Sequence, residues 1–277
     1  MRKKIIVFFL FIFFSQHSYS QLWVNDIGKA LKLAKATNKL ILIDFNASWC
    51  EPCRKMQAEY LNNPDYKKTL DKFVLVSVDI DDNRGLASNY GIKSIPNIFI
   101  IDVNGNSIFN VAGYMGAENL DNDLSGFPTT TRDLYDALVF TNPKKPTDEE
   151  LLSLGSSYQA LLQLSKSSVA KESFKKLSND CFIKGKKNSQ NKSFIERAHI
   201  SIIYNDVLLN KTKKAFNNLE VEKVSAENQS FAYYVLAQAY FIDGKREEAL
   251  RVIEEINKQG KEEWLANANL LRKKYEK

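Results

Sequence analysis

The 277-residue chain is poor in the side chains that build metal centres and hydrolytic sites. It has two histidines, His17 and His199, and three cysteines, Cys50, Cys53 and Cys181. A zinc site around Cys50 and Cys53 would need two more ligands. Beyond residue 20 only Cys181 and His199 could supply them, and both are distant and badly spaced. No histidine stands near either cysteine to act as base, which argues against cysteine-hydrolase chemistry. Three cysteines are also too few for an exported protein built on structural disulfides, and a chain this long can bury cores without them. Asp79–Gly85 begins like a calcium loop, but Arg84 stands where the turn needs glycine and Tyr90 where the bidentate glutamate belongs. The segment is read as a strand end and helix cap. After residue 20 no run is apolar enough to span a membrane, and no nucleic-acid motif or basic–aromatic interleaving is present.

The chain does have an export pattern. Arg2-Lys3-Lys4 is followed by the apolar run Ile5–Phe14, and Ser18-Tyr19-Ser20 places small residues before Gln21. Residues 1–20 are therefore expected to be a cleaved signal peptide; the alternative is an uncleaved anchor. No cysteine follows the run to accept a lipid. The periplasm is the expected compartment. Without residues 1–20 the formal charge falls from +6 to +3, unevenly distributed: −3 over residues 21–143 and +6 over residues 144–277. The shift falls at Asn142-Pro143-Lys144-Lys145-Pro146, which divides the chain into domains 21–142 and 143–277. The basic half is read as a solvated helical surface, with docking of an acidic partner as the alternative.

The first domain alternates helix and strand. Asp26–Thr37 has helical spacing, Lys39–Phe45 is a strand, and a helix runs from Cys50 to about Leu61. A short helix from Asn63 to Leu70, a strand Phe73–Ile80 and a helix Asn83–Tyr90 follow. Strands Asn97–Ile101 and Ser107–Ala112 are joined by an Asn-Gly turn, and a last helix spans about Glu118–Leu124. Right-handed crossovers turn this order into a parallel pair flanked by an antiparallel pair, with helices on both faces. Cys50-Glu51-Pro52-Cys53 sits between strand and helix. Cys50 is thus at a helix N-terminus, where unpaired N–H groups and the helix dipole favour a thiolate. A pair at this spacing can close and reopen a disulfide.

Three separated motifs carry a resemblance. Asp44-Phe45-Asn46-Ala47-Ser48-Trp49-Cys50-Glu51-Pro52-Cys53 matches the pattern D-F-x-A-x-W-C-x-P-C. Tyr90–Asn97 matches Y-G-I-x-x-I-P-T with Asn97 in the last place, and Gly113 follows the last strand. Residues 22–125 resemble the thioredoxin-like superfamily. Trp23 and Asn63-Pro64-Asp65-Tyr66 are similar to exported thiol:disulfide interchange domains. The resemblance implies an α/β thioredoxin fold whose redox group is the Cys50–Cys53 disulfide itself, with no other cofactor and no metal. Cys50 is the expected attacking thiolate and Cys53, more buried, the resolving thiol. Asp44 is the expected buried base, its pKa raised by burial. Trp49, Ile95, Pro96 and Gly113 are expected to bind substrate, with Trp49 shielding the pair and Pro96 cis. Pro52 keeps the turn rigid. Glu51 replaces a common glycine and opposes the thiolate, while Arg54 and Lys55 favour it. Ser77 stands where the family often has a lysine beside the aspartate.

Residues 143–277 read as helix, with a weak 34-residue period. Tyr233, Leu236, Ala237, Tyr240, Ala249, Ile253 and Ile256 fall at packing positions similar to those of tetratricopeptide repeats, around an Asp243-Gly244-Lys245 turn. The preceding window has Asp206 at an aromatic position. Leu154, Gly155 and Tyr158 hint at an earlier repeat, and Leu270-Leu271 at a capping helix. A plain helical bundle is the alternative. Cys181 is expected to be a buried free thiol, with a third redox partner as the alternative. The expected function is an exported protein-disulfide oxidoreductase, a reductase rather than an oxidase. It would act on protein thiols and disulfides, with a separate electron donor and a peptide or protein partner on the helical domain. The alternative is a partner-binding or assembly protein whose thioredoxin-like half is a recognition module.

Overall fold

The computed structural model describes residues 22–259 and 261–275. The expected signal peptide therefore lies outside the described residues. Five strands form one sheet in the order β1-β3-β2-β4-β5: β1 Trp23–Val24, β2 Leu40–Asn46, β3 Phe73–Asp79, β4 Asn97–Ile101 and β5 Ser107–Ala112. β2 runs parallel to β3 and antiparallel to β4, as the strand order requires. Every residue of β2 is buried, which suits its sequence Leu-Ile-Leu-Ile-Asp-Phe-Asn. Alternate side chains serve two cores. Ile41, Ile43 and Phe45 pack with Ala30 and Ala34 of α1 (Ile27–Thr37). Leu40 and Leu42 face Met56, Tyr60 and Leu61 on the other side. Asp26 caps α1 by accepting the N–H of Lys29 at 2.6 Å.

Two elements lie outside the sequence-based expectations. β1 is only two residues long and pairs in parallel with Leu75 and Val76, too short for any periodic signal. The second is a helix, Arg132–Phe140, whose buried Leu134, Tyr135, Ala137 and Leu138 cover one face. It lies between α5 (Ala117–Leu124) and the expected domain boundary, and is α6 below. The Tyr135 hydroxyl donates to the Lys39 carbonyl at the start of β2. The other helices of this half are α2 (Glu51–Met56), α3 (Lys67–Leu70) and α4 (Arg84–Asn89).

From α7 onward the described chain is helical: α7 Asp148–Leu164, α8 Ser168–Asn188, α9 Lys192–Val207, α10 Lys213–Asn218, α11 Ala226–Ile242, α12 Arg246–Gln259 and α13 Glu262–Tyr275. α9 and α11 begin 34 residues apart, matching the period seen in the sequence. Ala237, Ala249, Ile253 and Ile256 are all buried in the last core. Asp206, at the degenerate repeat position, is buried between Lys175 at 2.6 Å and Lys214 at 2.7 Å, tying α9 to α8 and α10. Burial acts to raise its pKa, but the two lysines outweigh burial and hold the carboxyl below its usual range. Among the described residues no helix is long and apolar enough to cross a membrane.

Packing runs across residue 142. One continuous core joins Leu40, Leu42 and Phe73 of the sheet to Leu151, Tyr158, Phe174 and Cys181 of α7 and α8. Phe127 is its hinge pin: its ring contacts Phe73 at 6.1 Å, Phe109 at 5.9 Å and Phe174 at 5.9 Å. Backbone does the same nearby, since the Lys166 N–H donates to the Gly126 carbonyl at 2.9 Å. A Cβ on Gly126 would stand 2.3 Å from the Ser167 nitrogen, so only glycine allows this approach. Cys181 lies in the shared core as a free thiol, and burial pushes its pKa up to about 12. Phe127→Ala is expected to lower stability by about 3–5 kcal/mol. Hydrogen exchange should then speed up in β2 and in α7–α8 together; acceleration on one side alone would contradict a shared core.

Candidate active site

The end of β2 delivers both parts of the site. Asp44 is inside the sheet, and four residues after Asn46 the chain reaches Cys50, the N-cap of α2. Cys50 has extended backbone angles (φ −80°, ψ 102°), and its sulfur accepts the Cys53 N–H at 3.2 Å. Pro52 sits in the first turn, where an N–H would have no helical partner. The helix begun here continues to Leu61, as its spacing predicts, but Gln57–Leu61 form a π-helical turn.

Cys50 and Cys53 are joined by a disulfide, with Cα atoms 5.3 Å apart. Both are buried in this oxidised form, at 3% and 1% exposure, so the expected contrast between them is slight. Ala47, Ile80 and Ile95 pack around the pair. The Ile95–Pro96 peptide is cis. The Pro96 carbonyl accepts the Gly113 N–H at 2.8 Å, and Gly113 has φ +83°, a conformation that favours glycine. Ile95 packs against the cysteines, with Pro96 next to it and Gly113 tied to Pro96.

Trp49 is 64% exposed, and its indole N–H donates to Asp81 Oδ2 at 2.7 Å. Ala47, Ile80 and Ile95 supply the buried cover of the pair. The two cations expected to favour the thiolate are also engaged. Arg54 donates to the Ser48 carbonyl at 2.8 Å, and Lys55 lies 3.9 Å from Glu59. Glu51 is exposed.

Asp44 is 1% exposed, and β3 places Ser77 directly opposite it. Burial raises its pKa from 3.8 to about 6, against the lowering effect of hydrogen bonds from Asn46 and then Gln57. The Asn46 amide donates to Asp44 Oδ2 at 3.0 Å and to Ser77 Oγ at 2.9 Å. Asp44 Oδ1 has no well-formed hydrogen bond. A cleft of 240 Å³ borders the carboxylate, lined by Trp23, Gln57, Leu61, Asn62 and Ser77. Asn46, Gln57 and Asp81 are the site residues that sequence reasoning misses. Asn46 occupies the variable position of its motif, yet it lies two residues from Asp44 and so on the same strand face. Among the described residues no group of three or more His, Cys, Asp or Glu side chains is placed to hold a metal ion.

A capped, buried cysteine pair with a carboxyl held near neutrality is a site for thiol–disulfide exchange. A model of the thioredoxin-like domain family matches residues 27–125. Thioredoxin H4 of Arabidopsis thaliana is 37% identical over 78 residues, 28% of this chain and 64% of that protein. The thioredoxin of Griffithsia pacifica is 41% identical over 86 residues, 30% of this chain and 74% of that protein. The thiol:disulfide interchange protein DsbD of Cronobacter sakazakii is 31% identical over 100 residues, 34% of this chain but only 17% of that protein. Among solved structures, a thioredoxin from Thermus thermophilus has 23% identity and a TM-score of 0.35, covering 38% of this chain and 86% of its own. The chain belongs to the thioredoxin family, and its sheet domain is a thiol–disulfide oxidoreductase domain.

The raised pKa of Asp44 has a consequence for stability. The folded state holds this proton more tightly than the unfolded chain, so the associated stability is present below pH 3.8 and lost as pH rises through about 6. Asp44→Asn keeps the shape without the charge. Oxidised Asp44→Asn is expected to exceed the parent by roughly 2–3 kcal/mol at pH 8, with no gain below pH 4. Urea unfolding at the two pH values measures this, and a gain independent of pH would contradict it.

Proposed function

We propose that this protein is an exported protein-disulfide reductase. The observation that carries the reading is the Cys50–Cys53 disulfide at a helix N-cap, in a chain that buries Asp44 in the strand leading to it. In the reduced form the Cys50 thiolate attacks a substrate disulfide, and one substrate sulfur leaves with the electron pair. Cys53 gives its proton to Asp44 and attacks Cys50, the mixed disulfide breaks, and the substrate departs as a dithiol. Two electrons pass from the pair to the substrate, and a dithiol donor must return them. The pair is the redox group, with no further cofactor. Ile95, Pro96, Gly113 and the exposed Trp49 form the rim that meets the substrate. The relatives named as thioredoxins support reduction as the direction. The basic start and apolar run of residues 2–14 support export to the periplasm.

The helical half, residues 143–277, serves in this reading as the part that holds the client. A groove of 410 Å³ supports it, lined by Tyr204, Tyr234 and Tyr275 with Gln238 and the cations Lys171 and Lys274. No carboxylate lines it, and neither lysine makes an ion pair among the described residues. Tyrosine rings and ammonium groups without a carboxylate partner, one of them over the Tyr275 ring, suit an extended peptide carrying carboxylates. The rival reading, a partner-binding or assembly protein whose thioredoxin-like half is a recognition module, draws on the same groove.

Cys50→Ser is expected to abolish reduction of insulin disulfides by a dithiol donor, and unchanged turnover would sink the enzymatic reading. Cys53→Ala should trap a mixed disulfide on Cys50 and so identify the client. The pair of substitutions Lys171→Glu and Lys274→Glu is expected to slow reduction of an acidic protein client several-fold while sparing a small aromatic disulfide. Equal loss on both substrates would remove the groove from client binding.

A further inference from the structure

We propose that Asn46 is a positioning residue for disulfide exchange: anchored on Ser77, its carboxamide holds one oxygen of Asp44 and leaves the other to take the proton of Cys53. This rests on the oxidoreductase reading above. Asn46 is buried, and its amide nitrogen lies within reach of three acceptors: Ser77 Oγ at 2.9 Å, Asp44 Oδ2 at 3.0 Å and the Asp44 carbonyl at 3.1 Å. The strand geometry makes this arrangement. Asp44 and Asn46 are two apart on one face of β2, and Ser77 is the register partner of Asp44 on β3.

An amide nitrogen is a donor only. The oxygen that accepts its N–H keeps a second lone pair but is the less basic of the two, so an incoming proton favours the other oxygen. Oδ2 is the occupied oxygen, and Oδ1 is buried without a well-formed hydrogen bond beside the cleft of Gln57 and Ser77. The proton is thereby assigned to Oδ1. In the resolving step the Cys53 S–H bond breaks and an O–H bond forms on Asp44. The Cys53 sulfur then bonds to Cys50 Sγ, the Cys50–substrate S–S bond breaks, and the electron pair leaves on the substrate thiolate.

The clamp is neutral, and so are the surroundings of the carboxylate. β1 contributes Trp23, the helix after Cys53 contributes Gln57 and Leu61, and Asn62 follows it. β3 contributes Ser77 and β4 places Ile98 opposite Asp44. No charged side chain acts on Asp44; burial and the amide hydrogen bonds of Asn46 and Gln57 set its titration. A lysine at position 77 would both lower the pKa and carry protons. Asn46 can only hold and orient, so the pH range of exchange is left to one carboxyl, its burial and the two amides that bond it.

The test uses the full chain, reduced and reacted with a symmetrical aromatic disulfide to place a chromogenic thiol on Cys50. Release of that thiol by Cys53 is followed from pH 5 to 9. The parent should show an acid limb near pH 6. Asn46→Ala should move that limb upward by about one pH unit, slowing release about fivefold at pH 6 and hardly at pH 8. Ser77→Ala, which frees the clamp without removing it, should move the limb the same way by less, and stands in if Asn46→Ala does not fold. In an Asp44→Asn background Asn46→Ala should have no effect on the limb. A carboxyl titration of Asp44 by carbon NMR in the reduced protein should show the same displacement without any turnover. An unmoved limb, a uniform slowing at all pH values or an unmoved Asp44 titration would overturn the proposal. A parent protein that releases no thiol at any pH would instead overturn the oxidoreductase reading itself.

Discussion

The burial of β2 on both faces is the constraint from which the rest follows. A strand with neighbours on each side and helices above and below has no solvent edge, so its side chains must be apolar or individually satisfied. Six of its residues obey this simply by packing or by bonding locally. Asp44 does not, and the protein keeps it there at a cost in stability near neutral pH. Burial raises its pKa into the range where a carboxyl can both accept and return a proton, and Asn46 limits the rise. The same strand ends at the cysteine turn, so the core that creates the unusual acid also delivers the sulfurs.

A second consequence reaches further from the site. The sheet face that carries Leu40 and Leu42 is closed partly by its own helices and partly by α7 and α8. Phe127 stands where these meet, in ring contact with residues from both halves. The helical region is therefore part of the wall behind the redox sheet. Helix-on-sheet packing of this kind fixes the orientation of the helices relative to the sheet, which a flexible linker would not do. The free thiol Cys181 belongs to this wall, and a thiol with a pKa of about 12 has little thiolate to offer.

Local patterns were readable in the residues themselves. The apolar runs of β2 and β3, the Asn-Gly turn between β4 and β5 and the helix start at Cys50 depend on neighbours in the chain, and all appear where their patterns place them. Gly113 and Pro96 were legible through the motifs around them. Asn46 was visible but mute: its role needs Ser77, 31 residues away and across a strand pair. Trp49 was legible through its motif, but its hydrogen bond to Asp81, 32 residues on, was not. β1 was hidden because two residues carry no period. Charge and proline marked a boundary at residue 142; which apolar faces meet across it is set by tertiary packing.

By itself the sequence determined most of the elements, though not β1 or α6, and the reactive pair and the residue types available around it, because backbone propensity, side-chain period and helix capping are local. Tertiary structure decided what those residues do to one another. It made Asp44 a carboxyl near pH 6 by excluding water, aligned Ser77 and Asn46 on it through strand register, and turned two compositionally distinct halves into one packed body. Burial and register are properties of contacts between distant segments, and only the folded chain brings those segments together.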